Sequence, residues 1–346
     1  MDFYPFIRRL AAARGTPGGE ANVAQIIKEA FAPYCTSVEV DALYNVVARV
    51  GKGSPKLLVT AHQDEIGLVV TNIEKDGSLR VEKVGGVDPR ILPAAEVTVL
   101  TASGPLPGVV GAKPPHLLSE ADRKKTIQFK DIHVDVGLSP EKALQTVRPG
   151  DPAYLTGETV QLKNRRMAGK TMDDRACVAA MVAAAEQLSR HPAPCEVIFV
   201  AASQEEIGGY GVKTATYAAE PDAAVVIDVT HAETPGAPKF RTFPIDKITL
   251  TTGPNIAPAL YKMAEQTAKT HHVEYTVEPC GHVTWTDADE TQISRAGVPT
   301  LLIGVPLKYM HTTVELLEED VLAETGRFVA RFADDLARGW EEMAWY

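Results

Sequence analysis

The chain has 346 residues, 45% of them hydrophobic and 23% charged, with 35 Lys plus Arg against 45 Asp plus Glu, a formal charge of −10. This is ordinary globular usage at a length that allows two or three domains, and it excludes a disordered, collagen-like or coiled-coil chain. The acidic balance, without a basic run, argues against nucleic acid or an anionic membrane as the main partner.

The opening stretch MDFYPFIRRLAAARGTPGG carries Asp2, with Arg8 and Arg9 inside its apolar region, so it reads as an amphipathic helix rather than a signal peptide. A Gly-Gly turn introduces a helical pattern over Glu20–Phe31, and Lys56–His62 follows as a short, β-branched, apolar strand. The stretch from about 67 to 160 differs in kind. Its alternating runs LVVTNI, LRVEKV, EVTVLT and IHVDVG are broken by Gly and Pro, with helical periodicity only at Ser139–Leu144. We expect a compact β-rich barrel there, inserted into a first domain that resumes after it. An Ala-rich helix over Asp174–Leu188 begins with acidic residues, which suit a helix N-terminus. Strands are expected at Glu196–Ala202, Ala223–Val229 and Thr300–Val305, and helices at Ala257–Lys269 and Glu318–Met343. Near-continuous apolar strands separated by helices indicate an α/β sheet covered on both faces. No apolar run approaches the roughly 18 residues of a membrane span. The four cysteines (Cys35, Cys177, Cys195, Cys280) are too scattered for a disulfide framework or zinc ribbon, so a cytoplasmic enzyme is expected.

Chemistry in an open α/β sheet gathers at the strand C-termini, and acidic and histidine residues concentrate there. His62 ends the first strand in AHQDE; it could bind a metal, with Asp64 fixing its tautomer, or be a surface histidine beside acids. In KTMDDR, Asp173 sits at a loop-to-helix junction, where a carboxylate can bridge two cations or simply cap the helix. Glu205 and Glu206 follow a core strand in SQEEIG; side by side they are costly without a cation or hydrogen bonds. Asp228 interrupts the apolar VVIDVTH strand, which a metal or an Arg partner would explain. His311, in VPLKYMHT, is either a ligand or an ordinary loop histidine. Together these provide two histidines and three carboxylates with a spare glutamate, a set that fits two divalent ions sharing one carboxylate.

AHQDEIG, GGVDPRILP, GAKPPHLL, KTMDDR, QEEIGGYG, VVIDVTHAETPG and GVPTLLIGVPLKYMH, in this order, resemble the motifs of TET-type, glutamyl-aminopeptidase-like dinuclear metallopeptidases over residues about 15 to 315. The resemblance implies a three-layer α/β/α catalytic domain with a mixed sheet over 1–66 and 161–346. It also implies an inserted small β-barrel, PDZ-like, over 67–160, that mediates dimerisation and assembly into a homododecamer. It further implies that His62, Asp173 and Asp228 hold one ion and Asp173, Glu206 and His311 the other, with a cis peptide bond between Asp173 and Asp174. Glu205 would be the general base, and Asp64 would orient His62. Zinc or cobalt suits the ligand set, and manganese is an alternative.

Departures are Tyr44, where such enzymes more often have Gly, Cys177 in place of a common Gly, and GHVTWTDAD over 281–289, in which Trp285 would narrow the substrate pocket. In the insert, His116 and Arg90 would either contact substrate or a neighbouring subunit, or support the loops that carry them. The expected reaction is removal of N-terminal residues from peptides. The competing readings are a related dinuclear deacylase or carboxypeptidase, and a metal-binding scaffold without activity, for which a retained general base has no use.

Overall fold

The computed structural model describes residues 1–345. Its centre is an eight-stranded mixed sheet in the order Ser37–Val40, Val46–Gly51, Glu196–Ala202, Lys56–His62, Ala223–His231, Thr300–Leu307, Ile248–Thr252, Tyr275–Pro279. The four central strands, Glu196–Ala202 through Thr300–Leu307, run parallel, so their C-termini open on one edge. They are almost wholly buried, as the apolar runs predict, because helices cover both faces.

On one face lie Phe3–Ala12, Ala21–Phe31, Met172–Arg190, Pro258–Thr270 and Glu319–Gly339. On the other, Tyr210–Ala219 packs over a smaller cluster of Leu58, Ile198, Val200 and Ala224. The Ala-rich helix is buried along most of its length because small side chains let neighbours approach. Gly326 shows how closely: a Cβ there would lie 2.8 Å from the Ala180 carbonyl oxygen and 3.0 Å from the Ala183 Cβ.

Six strands between Gly67–Ile73 and Pro152–Leu155 close an antiparallel barrel. The barrel has its own core, including Leu68, Val70, Leu79, Val81, Val97, Val99 and Val134. Val160–Gln161 belongs elsewhere: it pairs with Arg166–Gly169, which pairs with Glu315–Glu318 in a three-stranded sheet. The expected α/β layering and separate barrel are therefore both present.

Several boundaries move. The strand carrying Asp228 runs on to His231, and the last helix gives way to a 3-10 turn at Trp340–Glu342. Both Asp173 and Asp174 have non-helical backbone angles, so regular helix begins only after the pair. The Asp173–Asp174 peptide bond is cis, as the resemblance implies. Among the described residues no helix is long and apolar enough to cross a membrane.

Candidate functional site

Five segments deliver the acidic and histidine residues to the open edge of the sheet. His62 is the last residue of its strand, and Asp64 lies just beyond it. Glu205 and Glu206 form the turn after Glu196–Ala202, and Asp228 projects from within Ala223–His231. Asp173 follows Arg166–Gly169, and His311 follows Thr300–Leu307. Four residues in these connections, Thr171, Gln204, Tyr309 and His311, have φ near +60°. Left-handed backbone at non-glycine residues costs free energy and clusters where a structure over-determines side-chain placement.

All seven predicted residues come together. Asp173 is central: its Oδ1 is 3.0 Å from His62 Nε2, and its Oδ2 is 3.2 Å from His311 Nε2. His311 Nε2 also stands 3.4 Å from Glu206 Oε1, and His62 Nε2 is 3.8 Å from Glu205 Oε2. Ligand atoms of His62 and Asp228 converge within 4.8 Å in a group that also includes Asp174, and those of His62, Asp173 and Glu206 do so in a second group. Two atoms bound about 2.0–2.1 Å from one tetrahedral ion lie about 3.4 Å apart, so these spacings fit the donor set of a divalent cation.

Electrostatics points the same way. Asp173, Asp174 and Asp228 are buried and Glu205 and Glu206 nearly so, yet the nearby Lys170 and Arg175 are engaged by Glu65. Burial pushes Glu205 and Asp228 well above the ordinary carboxylate range, and raises Glu206. Burial opposes protonated imidazole as well, but the Asp173 and Glu206 carboxylates lift His311 to about 11. Similarly, Asp173 and Asp64 raise His62 against its burial. Hydrogen bonds from both histidines hold Asp173 below the usual range despite its burial. So many buried acids around two imidazoles call for positive charge, which divalent ions would provide.

Asp64 has a second task that its spacing did not reveal. Its Oδ1 accepts the Glu205 N–H and its Oδ2 the Glu206 N–H, both at 3.1 Å, fixing the turn that carries the glutamate pair. Its distance to His62 Nδ1 is 3.5 Å, long for a hydrogen bond.

Three further features escaped sequence reasoning. Buried Glu315 accepts the backbone N–H of Asp173 (3.2 Å) and of His311 (2.8 Å), tying two site segments together. Asp174 accepts the His62 N–H at 3.1 Å and keeps an unpartnered Oδ1. The barrel contributes its Gly85–Gly86 turn: the Gly86 carbonyl lies 3.1 Å from His311 Nδ1, and the Gly86 N–H reaches Glu206 Oε2 at 3.4 Å. A Cβ on Gly86 would sit 2.3 Å from the His311 ring. A ring that donates Nδ1–H to this carbonyl has Nε2 free as a ligand. The GGVDP motif was visible, but this contact across domains has no local signature.

The remaining candidates are peripheral or structural. Arg90 pairs with Asp88 in an exposed turn, and His116 is exposed. Tyr44 has φ +71°, the left-handed region where glycine is at ease. Cys177 is buried against Asp174, and Trp285 is 79% exposed.

The family model described as M42 glutamyl aminopeptidase matches residues 45–328. The chain is 34% identical to a lysyl aminopeptidase of Pyrococcus furiosus over 96% of its own length and 97% of the relative's. Among solved structures, it is similar to a TET aminopeptidase from a marine-sediment Thaumarchaeota archaeon, with TM-score 0.90, 29% identity and 95% of each chain covered. It is also similar to the Pyrococcus horikoshii TET1 peptidase, which can assemble into a tetrahedron or a large octahedral shell, with TM-score 0.84, 30% identity and coverage of 96% of this chain and 99% of the other.

Proposed function

Since the chain belongs to the M42 glutamyl aminopeptidase family and is a hydrolase of the exopeptidase class, we propose that it removes N-terminal residues from peptides using two divalent cations. The observation that carries this reading is the pair of Asp173 oxygens directed at two different histidines, 3.0 and 3.2 Å away, with Glu205 beside them. In this reading His62, Asp173 and Asp228 hold one ion, and Asp173, Glu206 and His311 the other. Zinc or cobalt suits this mixture of imidazole and carboxylate, with manganese an alternative.

When bound, the ions supply Lewis acidity, making water nucleophilic near neutral pH and polarising the scissile carbonyl. The chain's own residues do the rest. Glu205 takes the proton of the attacking water and returns it to the departing amine. Its Oε2 lies 3.8 Å from His62 Nε2, which puts the carboxylate beside the ligand set and in reach of a water held there. Asp64 is a positioning residue: by accepting both glutamate N–H groups it sets the distance between the proton carrier and Glu206. Glu315 couples the backbones bearing Asp173 and His311, so the bridging carboxylate and the histidine move as one unit.

The TET relatives, one a dodecamer and one able to form a tetrahedron or a large octahedral shell, support self-association of this chain, which in this reading builds a homododecamer from dimers. A cytoplasmic setting fits that reading. The test is Glu205→Gln assayed on aminoacyl anilides with metal content measured in parallel. We expect unchanged metal content and a loss of about 10²- to 10⁴-fold in kcat. Near-normal turnover would remove Glu205 from the proposed role.

A further inference from the structure

One half-buried carboxylate beside the site takes no part in the chemistry above. Strand register sets its surroundings. Asp228 pairs with Gly304, and Gly304 pairs with Thr249, so these three residues form a row on the same sheet face. Thr230 lies on that face two residues beyond Asp228. From the edge strand Tyr275–Pro279, Glu278 reaches back across this row. Its Oε1 accepts the Thr230 hydroxyl at 2.7 Å, and its Oε2 accepts the Thr249 hydroxyl at 2.6 Å. Gly304 makes room for it: a Cβ there would fall 3.0 Å from Glu278 Oε2 and 2.2 Å from Thr249 Oγ1. The carboxylate thus rests over Gly304, on the strand that neighbours the one carrying Asp228.

Both partners of Glu278 are neutral hydroxyls, and among the described residues it forms no ion pair. Two hydroxyls orient a carboxylate but leave its charge uncompensated. If the glutamate only braced the edge strand, glutamine would do nearly as well without a charge to desolvate. A partly buried anion, oriented and unpaired beside the reacting centre, is suited to a cation brought by the substrate. The five single bonds from Cα to Nζ of lysine span about 6 Å, enough to reach from a residue held at the metals across one strand to Glu278.

We propose that Glu278 is the specificity-determining residue of the substrate pocket and that the enzyme prefers peptides with a basic N-terminal side chain, lysine or arginine. Thr230 and Thr249 hold the carboxylate's two oxygens, and the absence of a side chain at Gly304 lets it lie over that residue. The inference rests on the aminopeptidase reading and deepens it.

The test compares metal-loaded wild type with Glu278→Gln on the 4-nitroanilides of lysine, arginine, leucine and glutamate. Wild type should favour lysine and arginine over leucine by at least about tenfold in kcat/KM, and disfavour glutamate further. Glu278→Gln should lower the basic substrates by about 10- to 100-fold while leaving leucine within about twofold. A wild-type preference for leucine or glutamate, or an equal loss on all substrates in the variant, overturns the inference and leaves the aminopeptidase reading intact. Inactivity of metal-loaded wild type on every anilide overturns both. A second measurement needs no variant: L-lysine should inhibit leucine anilide hydrolysis at about a tenth of the concentration required for L-norleucine, which has a straight apolar side chain without the terminal ammonium. Equal potency overturns the inference.

Discussion

Gly86→Ala isolates the contribution of the barrel to the site. The added methyl would stand 2.3 Å from both Cε1 and Nδ1 of His311, whereas ordinary contact begins near 3.4 Å. The ring must therefore retreat by about 1.1 Å, or the turn must move away and give up the 3.1 Å contact between the Gly86 carbonyl and His311 Nδ1. Either response displaces His311 Nε2 from Asp173 and Glu206. Losing a histidine's outer hydrogen-bond partner typically costs 10- to 100-fold in metal affinity or activity, and a misplacement of about 1 Å can cost about 100-fold in rate. Because Gly86 is exposed and its φ is not in the left-handed region, global stability should change by no more than about 0.5 kcal/mol. The assay is competition for zinc against a chromophoric chelator, with urea unfolding as the control. Weaker binding of one ion out of two, at unchanged unfolding midpoint, is the expected result. Unaltered affinity for both ions would refute the reasoning that the barrel seats His311.

Two other substitutions probe different layers. Asp64→Asn leaves an amide N–H₂ facing one of the two N–H groups that Asp64 now accepts; stability should fall by about 2 kcal/mol and activity by more than tenfold, and an unchanged urea midpoint would contradict the clamp. Glu20 is buried and one of its oxygens is unpartnered, and burial, aided by Asp64, raises its pKa from 4.5 to about 7. Because the folded state binds this proton more tightly, its contribution to stability is fully present below pH 4.5 and is lost as the pH rises to about 7. Glu20→Gln keeps an acceptor for the Gln204 N–H and should be stabilising by up to about 3 kcal/mol at pH 8 and by about half that at pH 5.5. A gain that does not grow with pH would contradict the assigned cause.

The buried core strands were legible because helices on both faces leave nothing but apolar side chains along them, as in KLLVTAH and EVIFVAA. The acidic and histidine residues stood out for the same reason: Asp228 interrupts an apolar run, and His62 and the Glu205–Glu206 pair end one. The last two strands of the sheet, Ile248–Thr252 and the edge strand Tyr275–Pro279, were not legible. They mix Thr, Glu and Tyr with apolar residues, and the outermost is only partly buried. Glu315 and Gly86 were missed for a different reason. Each acts through a contact between segments far apart in the chain, 142 residues from Asp173 to Glu315 and 225 from Gly86 to His311, and no local pattern encodes such a contact. Asp64 shows the intermediate case. Its proximity to His62 follows from two-residue spacing, but its grip on the glutamate turn depends on two parallel strands ending side by side.

The central claim is that one aspartate is shared between two cations. Anomalous diffraction at the zinc edge from crystals of the zinc-loaded protein tests it most directly. Two peaks flanking Asp173, one reached by His62 and Asp228 and the other by Glu206 and His311, are the expected result. A single peak, or peaks that leave Asp173 uncoordinated, would contradict it.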